Sequence, residues 1–156
     1  MIEEDPMQLL VDAFSNGSAI PKRYSCEGED VSPQVRWSGE PKNTRSFVLI
    51  VDDPDAPSGT WVHWLQYDIP ATVHELPEAI PPSRIGLCGT NSFGQPRYGG
   101  PCPPKGHGPH RYYFRLYALD TKDLGLNAGV GREQLERVMK PHVIAQAEYM
   151  GRYERR

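Results

Sequence analysis

The hydrophobic pattern along the chain reads mostly as strands. Residues 7–14 (MQLLVDAF) predict an opening strand, stopped by the turn signal Asn16-Gly17. Residues 15–34 are rich in turn formers and carry Glu27, Glu29 and Asp30, which predicts a long ordered loop. Val35-Arg36-Trp37 alternates, and Ser38-Gly39-Glu40-Pro41 turns. Ser46–Asp52 is almost wholly apolar, so it belongs in the centre of a sheet covered on both faces. In Trp61–Ile69, alternation puts Trp61, His63, Leu65 and Tyr67 on one face and Val62, Trp64 and Gln66 on the other. His110–Asp120 is the strongest strand. His110, Tyr112, Phe114, Leu116 and Ala118 share one face, and Arg111, Tyr113, Arg115 and Tyr117 the opposite one.

Between the last two strands, residues 70–108 carry prolines at 70, 77, 81, 82, 96, 101, 103 and 104, with room only for short edge strands such as one near 87–91. A loop this long inside a compact domain is usually functional. Helical spacing is confined to the C-terminal part. Leu135, Val138 and Met139 predict a helix over Arg132–Met139, and Pro141 is placed to start a second over His142–Met150, ended by Gly151. The pattern gives a mainly β fold, an antiparallel β-sandwich with a C-terminal helical pair. It reads as a single domain over 1–156, with 1–6 a flexible N-terminal segment.

Composition narrows the function classes. A chain of 156 residues can bury a real core, and 15 Gly with 16 Pro are too many breakers for a helix bundle. A net charge of −3 argues against a nucleic-acid partner, which wants a basic patch. The longest unbroken apolar run, Phe47–Val51, is far below the roughly 20 residues of a spanning helix, so no integral membrane association is expected. Met1–Pro6 is acidic with no apolar segment, so no secretory signal is expected. The three cysteines, Cys26, Cys88 and Cys102, form no CxxC pair. They read as reduced thiols in a cytoplasmic protein, with Cys102 more a packing residue than a reactive thiol.

The candidate chemistry sits in two segments, Asp52–His63 and Tyr98–Tyr112. Each is a proline-stiffened loop entering a strand whose first inward residue is a histidine, and such a loop holds a rigid site. If the two strands share a sheet, His63, His110 and Tyr112 wall a small cavity with an apolar floor. Gly99, Gly100, Gly106 and Gly108 allow backbone N–H groups to turn toward an anion, and Asp53 or Asp55 can fix a histidine tautomer. No arginine is aimed inward, because Arg111 has the wrong parity. The set suits a phosphate monoester or another small anion, held weakly without a guanidinium clamp. His74, His107 and His142 read as solvent or packing residues, Trp61 and Trp64 as core or interface. At least one aspartate is structural, Asp52 or Asp55 before the others.

DPDAP at 53–57 followed by His63, with YGGPCPPKG at 98–106 followed by His110-Arg111-Tyr112, resembles the phosphatidylethanolamine-binding protein family, in its prokaryotic Raf-kinase-inhibitor-like branch. SPQVRW at 32–37, FRLYALD at 114–120 and Gly151-Arg152-Tyr153 extend the resemblance over nearly the whole chain. One departure is Asn91-Ser92, where Asn-Asp is expected. The resemblance implies a β-sandwich on a central antiparallel sheet with an anion pocket at one end. By matching positions its ligand-binding residues are Asp53, His63, Pro104, His110 and Tyr112, with Asp55 in support. It implies binding of a small anionic or phosphate-bearing ligand, no cofactor or metal, and a homodimer. Regulation by binding is the preferred role. A protease or kinase inhibitor working through a protein surface, with 81–109 as its exposed loop, is the alternative. A metal-assisted or acid–base hydrolase using Asp53, His63 and His110 ranks last, because Ser58 has no evident base and the histidines lack metal-ligand spacing.

Overall fold

The computed structural model describes residues 6–156, so all but Pro6 of the expected flexible N-terminal segment lies outside the described residues. Among the described residues eight strands form two antiparallel sheets. The smaller holds β1 (Gln8–Val11), β2 (Val35–Ser38) and β5 (Glu75–Leu76) in the order β1-β2-β5. The larger has the order β6-β4-β3-β7-β8 and is built from β3 (Ser46–Asp53), β4 (Trp61–Pro70), β6 (Leu87–Cys88), β7 (His110–Leu119) and β8 (Val143–Tyr153). The near-continuous apolar run makes β3 the central strand, and all eight of its residues are buried. Its alternate faces feed two cores. Phe47, Leu49 and Val51 pack with Trp37, Leu76, Phe114 and Leu116 between the sheets. Val48 and Ile50 pack with Leu65, Tyr67, Leu135 and Met139 under an α-helix, α1 (Arg132–Met139).

The fold class is as expected, but the helical pair is not. α1 spans the residues its spacing predicted, and Pro141 starts only a 3-10 turn, Lys140–His142. The segment expected as the second helix, His142–Met150, is mostly β8. From Ala145 to Tyr153 its residues alternate between sheltered and exposed as β8 pairs along nearly all of β7, from His110 opposite Tyr153 to Leu119 opposite Val143. Ala145, Gln146, Ala147 and Glu148 are good helix formers, and the cross-strand ladder overrides that weak local preference. Gly151 follows from the same packing, because a Cβ there would lie 2.5 Å from both Ile20 and Phe14 side chains.

The cysteine expectation is overturned too. Cys26 and Cys102 form a disulfide across 76 residues, and only Cys88 is a free, buried thiol. The premise for a reducing compartment goes with it. Among the described residues no helix is long and apolar enough to cross a membrane.

Candidate functional site

Four of the expected site residues meet at one end of the larger sheet. Asp53 ends β3, His63 lies near the start of β4, and His110 opens β7 with Tyr112 two residues along the same face. Tyr112 packs against the His63 ring, and Asp53, His63 and His110 line a hollow of about 180 Å³ together with Ser58, Trp61 and Pro104, among others. That is smaller than the roughly 300–1,000 Å³ of drug-sized pockets and suits a single small group.

His63 reaches this end by an irregularity that alternation does not foresee. Val51 pairs with Trp64 but Asp52 pairs with Val62, so His63 is the extra residue of a β-bulge. Val62 and Leu65 therefore face the helix-side core, while His63 and Trp64 both face the other way. The expected alignment of His63 with Leu65 fails, and the expected alignment with His110 and Tyr112 holds. The His63 ring meets the Tyr112 ring edge-on, centroids 5.1 Å apart.

Hydrogen bonds fix the proton positions. His63 Nδ1 lies 2.7 Å from the Gly99 carbonyl. A carbonyl only accepts, so Nδ1 carries the proton, and in the neutral ring Nε2 offers a lone pair. Burial lowers the His63 pKa and keeps the ring neutral. His110 Nδ1 lies 2.6 Å from Asp53 Oδ2, with both side chains buried. Asp53 Oδ1 accepts the Asp55 N–H at 2.8 Å, so this one carboxylate shapes the turn and orients an imidazole. The Tyr112 hydroxyl is fully buried without a hydrogen-bond partner. Burial first, then the neighbouring Asp53 carboxylate, hold its pKa well above the usual phenol range.

Two sequence readings need correction here. His107, expected as a solvent or packing residue, places Nδ1 2.6 Å from His110 Nε2 and extends the Asp53–His110 pair to the surface. Its position three residues before His110 carried no such signal, because Gly108 and Pro109 turn the chain between them. The glycine amides expected to face an anion are mostly used internally. Gly99 N–H goes to the His63 carbonyl, Gly100 N–H to Asp30 Oδ1 and Gly106 N–H to the Arg155 carbonyl. At Gly100 a Cβ would sit 2.1 Å from the Tyr24 carbonyl oxygen, so glycine is needed for close approach.

Asp55 stands apart from the hollow. It accepts from the Arg111 backbone N–H at 2.9 Å and from its guanidinium at 2.8 and 2.9 Å, on the outer side of β7. The Arg111 hydrogen bonds lower its pKa to about 2. Asp52 points to the opposite face of β3, where Arg115 and Arg132 hold it. Both are structural, as the sequence allowed.

The mouth is apolar. Phe93 is exposed and stacks edge-on with both Trp61 and His63, at 5.5 and 5.4 Å. Asn91 positions it, its Oδ1 accepting the N–H groups of Phe93 and Gln95. At the Asn91-Ser92 departure, Ser92 Oγ accepts the Val62 N–H at 2.8 Å and braces the strand beside the bulge. Cys102 lines the hollow, so the disulfide ties its wall to the 22–30 loop.

Both ring nitrogens of His110 are engaged, and among the described residues no group of three His, Cys, Asp or Glu is disposed to hold a metal ion. The arrangement offers an imidazole lone pair, a carboxylate-backed imidazole pair and a buried hydroxyl around a small hollow with an aromatic lip.

Comparison with known proteins accords with this geometry. The family model described as "Phosphatidylethanolamine-binding protein" matches residues 11–154. A "UPF0098 protein" of Aquifex aeolicus is 49% identical over 152 residues, covering 96% of this chain and 89% of its own. The crystal structure of a putative phosphatidylethanolamine-binding protein homolog, CT736 from Chlamydia trachomatis, superposes with a TM-score of 0.89 at 44% identity, covering 97% of this chain and 99% of its own. E. coli YbcL, described as a new member of the mammalian PEBP family, gives a TM-score of 0.89 at 33% identity over 97% of this chain and all of its own. The chain belongs to the phosphatidylethanolamine-binding protein family.

Proposed function

We propose that this protein is a binding module for a small anion, a phosphate monoester foremost, and acts by occupying or sequestering the group it binds. One observation carries the reading: Asp53, His63 and His110, drawn from three different strands, converge on one small hollow. A small hollow with a few convergent polar side chains and an apolar lip is how sites for small ligands are built. The volume admits a headgroup or phosphate but not a lipid body, whose chain would have to leave over the Trp61–Phe93 lip.

The test is titration with inorganic phosphate and O-phosphoethanolamine, followed by imidazole NMR. Shifts at His63 and His110, with His74 and His142 unmoved, are the expected outcome. Shifts confined to the two surface histidines would overturn the reading.

A further inference from the structure

The charge inventory of the hollow conflicts with an anion as occupant. Its lining residues carry one formal charge, the Asp53 carboxylate, and no lysine or arginine. Arg111 is turned outward onto Asp55, Arg155 Nε donates to the Pro103 carbonyl at 2.6 Å, and Lys105 is exposed in the loop. With all three imidazoles neutral the site is negative, and His63 adds only a lone pair. An anion entering a poorly solvated negative hollow is repelled unless positive charge comes with it.

The geometry shows where that charge can reside. His110 Nδ1–H donates to Asp53, and the 2.6 Å separation of His110 Nε2 from His107 Nδ1 has room for one proton between the two nitrogens. His107 is exposed, and its Nε2 has no partner among the described residues, so solvent reaches it. One proton added at His107 Nε2, with the inner proton passing from His107 Nδ1 to His110 Nε2, leaves His107 neutral and His110 an imidazolium. No heavy atom moves, no other bond changes, and the new charge sits on His110, which lines the hollow beside Asp53. We infer that the hollow takes up its anion together with one proton, held by the His107–His110 pair. This inference rests on the anion-binding reading above.

The groups facing the pair allow it. Asp53 of β3 stabilises the cation directly, and Asp55 after it adds distant negative charge already matched by Arg111. His63 of β4 is held neutral by burial and does not compete. Tyr112 of β7 and Tyr153, paired with His110 across β8, are both held protonated, chiefly by burial. Lys105 and Arg155 are the cationic side chains on the flanking loop and the C-terminal segment.

The test uses methyl sulfate, whose single charge does not change near neutral pH, beside methyl phosphate. Calorimetry is run in buffers of different ionisation enthalpy between about pH 5.5 and about pH 8. The expected result is uptake approaching one proton per methyl sulfate at the upper end, with affinity falling there by about tenfold per pH unit. His107→Gln keeps a polar side chain at an exposed position, so folding is not at stake, and it should cut the uptake at neutral pH by at least about half. Binding of methyl sulfate without proton uptake, or uptake unchanged in His107→Gln, would overturn the inference. So would binding of methyl phosphate but not methyl sulfate, since the ligand would then supply its own proton; the anion-binding reading would stand. Failure of both esters to bind at every pH would overturn that reading as well.

Discussion

Asp52 and Asp53 are neighbours on one strand, both buried, and their side chains face opposite sides of the sheet. Asp52 faces the helix side, where Arg115 meets it at 3.1 and 3.2 Å and Arg132 at 2.8 Å, and these arginines are tied in turn to Glu148 and Glu136. Asp53 faces the pocket side, where its partner is His110 and, through it, His107. A carboxylate between permanent cations is locked, and no change near neutral pH alters its surroundings. A carboxylate against an imidazole keeps a partner that can gain or lose charge. Burial alone does not separate a structural aspartate from a functional one; the titration behaviour of the partner does. The bracing differs as well, being ionic on the helix side and covalent on the pocket side, where Cys26–Cys102 holds the wall.

The largest effect expected is on that covalent brace. Replacing both Cys26 and Cys102 with serine opens a tie across 76 residues. It should cost about 4.5 kcal/mol in urea unfolding by the loop-entropy relation. A loss below about 1 kcal/mol would show that the loop hydrogen bonds, Cys26 N–H to the Pro101 carbonyl among them, already hold the wall. On the ionic side, Asp52→Ala should cost about 3 kcal/mol, the low end for a broken buried pair because Arg115 and Arg132 remain a quarter exposed. Phosphate affinity should not change. A parallel loss of affinity would mean that the two faces are coupled through β3 and would break the contrast.

His63 supplies a pH signature that the helix side lacks. Its folded pKa lies below the ordinary 6.5, chiefly from burial, so the unfolded chain binds the extra proton first. Its contribution to stability is full above pH 6.5 and is lost as pH falls through that value toward the folded pKa. Urea midpoints measured downward from neutral pH should fall, and His63→Gln should flatten the fall. An unchanged slope in the variant would assign the acid sensitivity to other groups.

Much of this was legible in the sequence, for a physical reason that also marks where legibility stops. The all-apolar run of β3 and the alternation of β7 depend on short-range pattern, and both strands, with α1, lie where pattern puts them. The two proline-braced segments placed Asp53, His63, His110 and Tyr112 at one end correctly. What failed depends on contacts distant in sequence. β8 is a strand because β7 lies beside it, not because of its own residues. The disulfide joins two loops 76 residues apart with no spacing rule between them. The bulge at His63 reverses the relation to Leu65 without any glycine to announce it, and His107 meets His110 only because Gly108 and Pro109 turn the chain back.

The smallest expected effect tests a residue that resemblance placed in support of the pocket and the structure sets outside its lining. Asp55 bonds to Arg111 on the outer side of β7, with the arginine about half exposed and the carboxylate less so. An exposed pair of this kind is worth only about 1 kcal/mol or less. Because the Asp55 pKa is depressed from 3.8 to about 2, its contribution is present above pH 3.8 and disappears as pH falls toward 2. Asp55→Asn should therefore lower stability slightly at neutral pH, lower it no further in strong acid, and leave phosphate affinity within about twofold. It keeps a side chain that can still accept the Arg111 backbone N–H, so the loop before β4 should hold its shape. A large loss of phosphate affinity in this variant, with stability nearly intact, would show that Asp55 acts on the ligand through the turn it shares with Asp53, and the division between locked and responsive carboxylates would have to move by one residue.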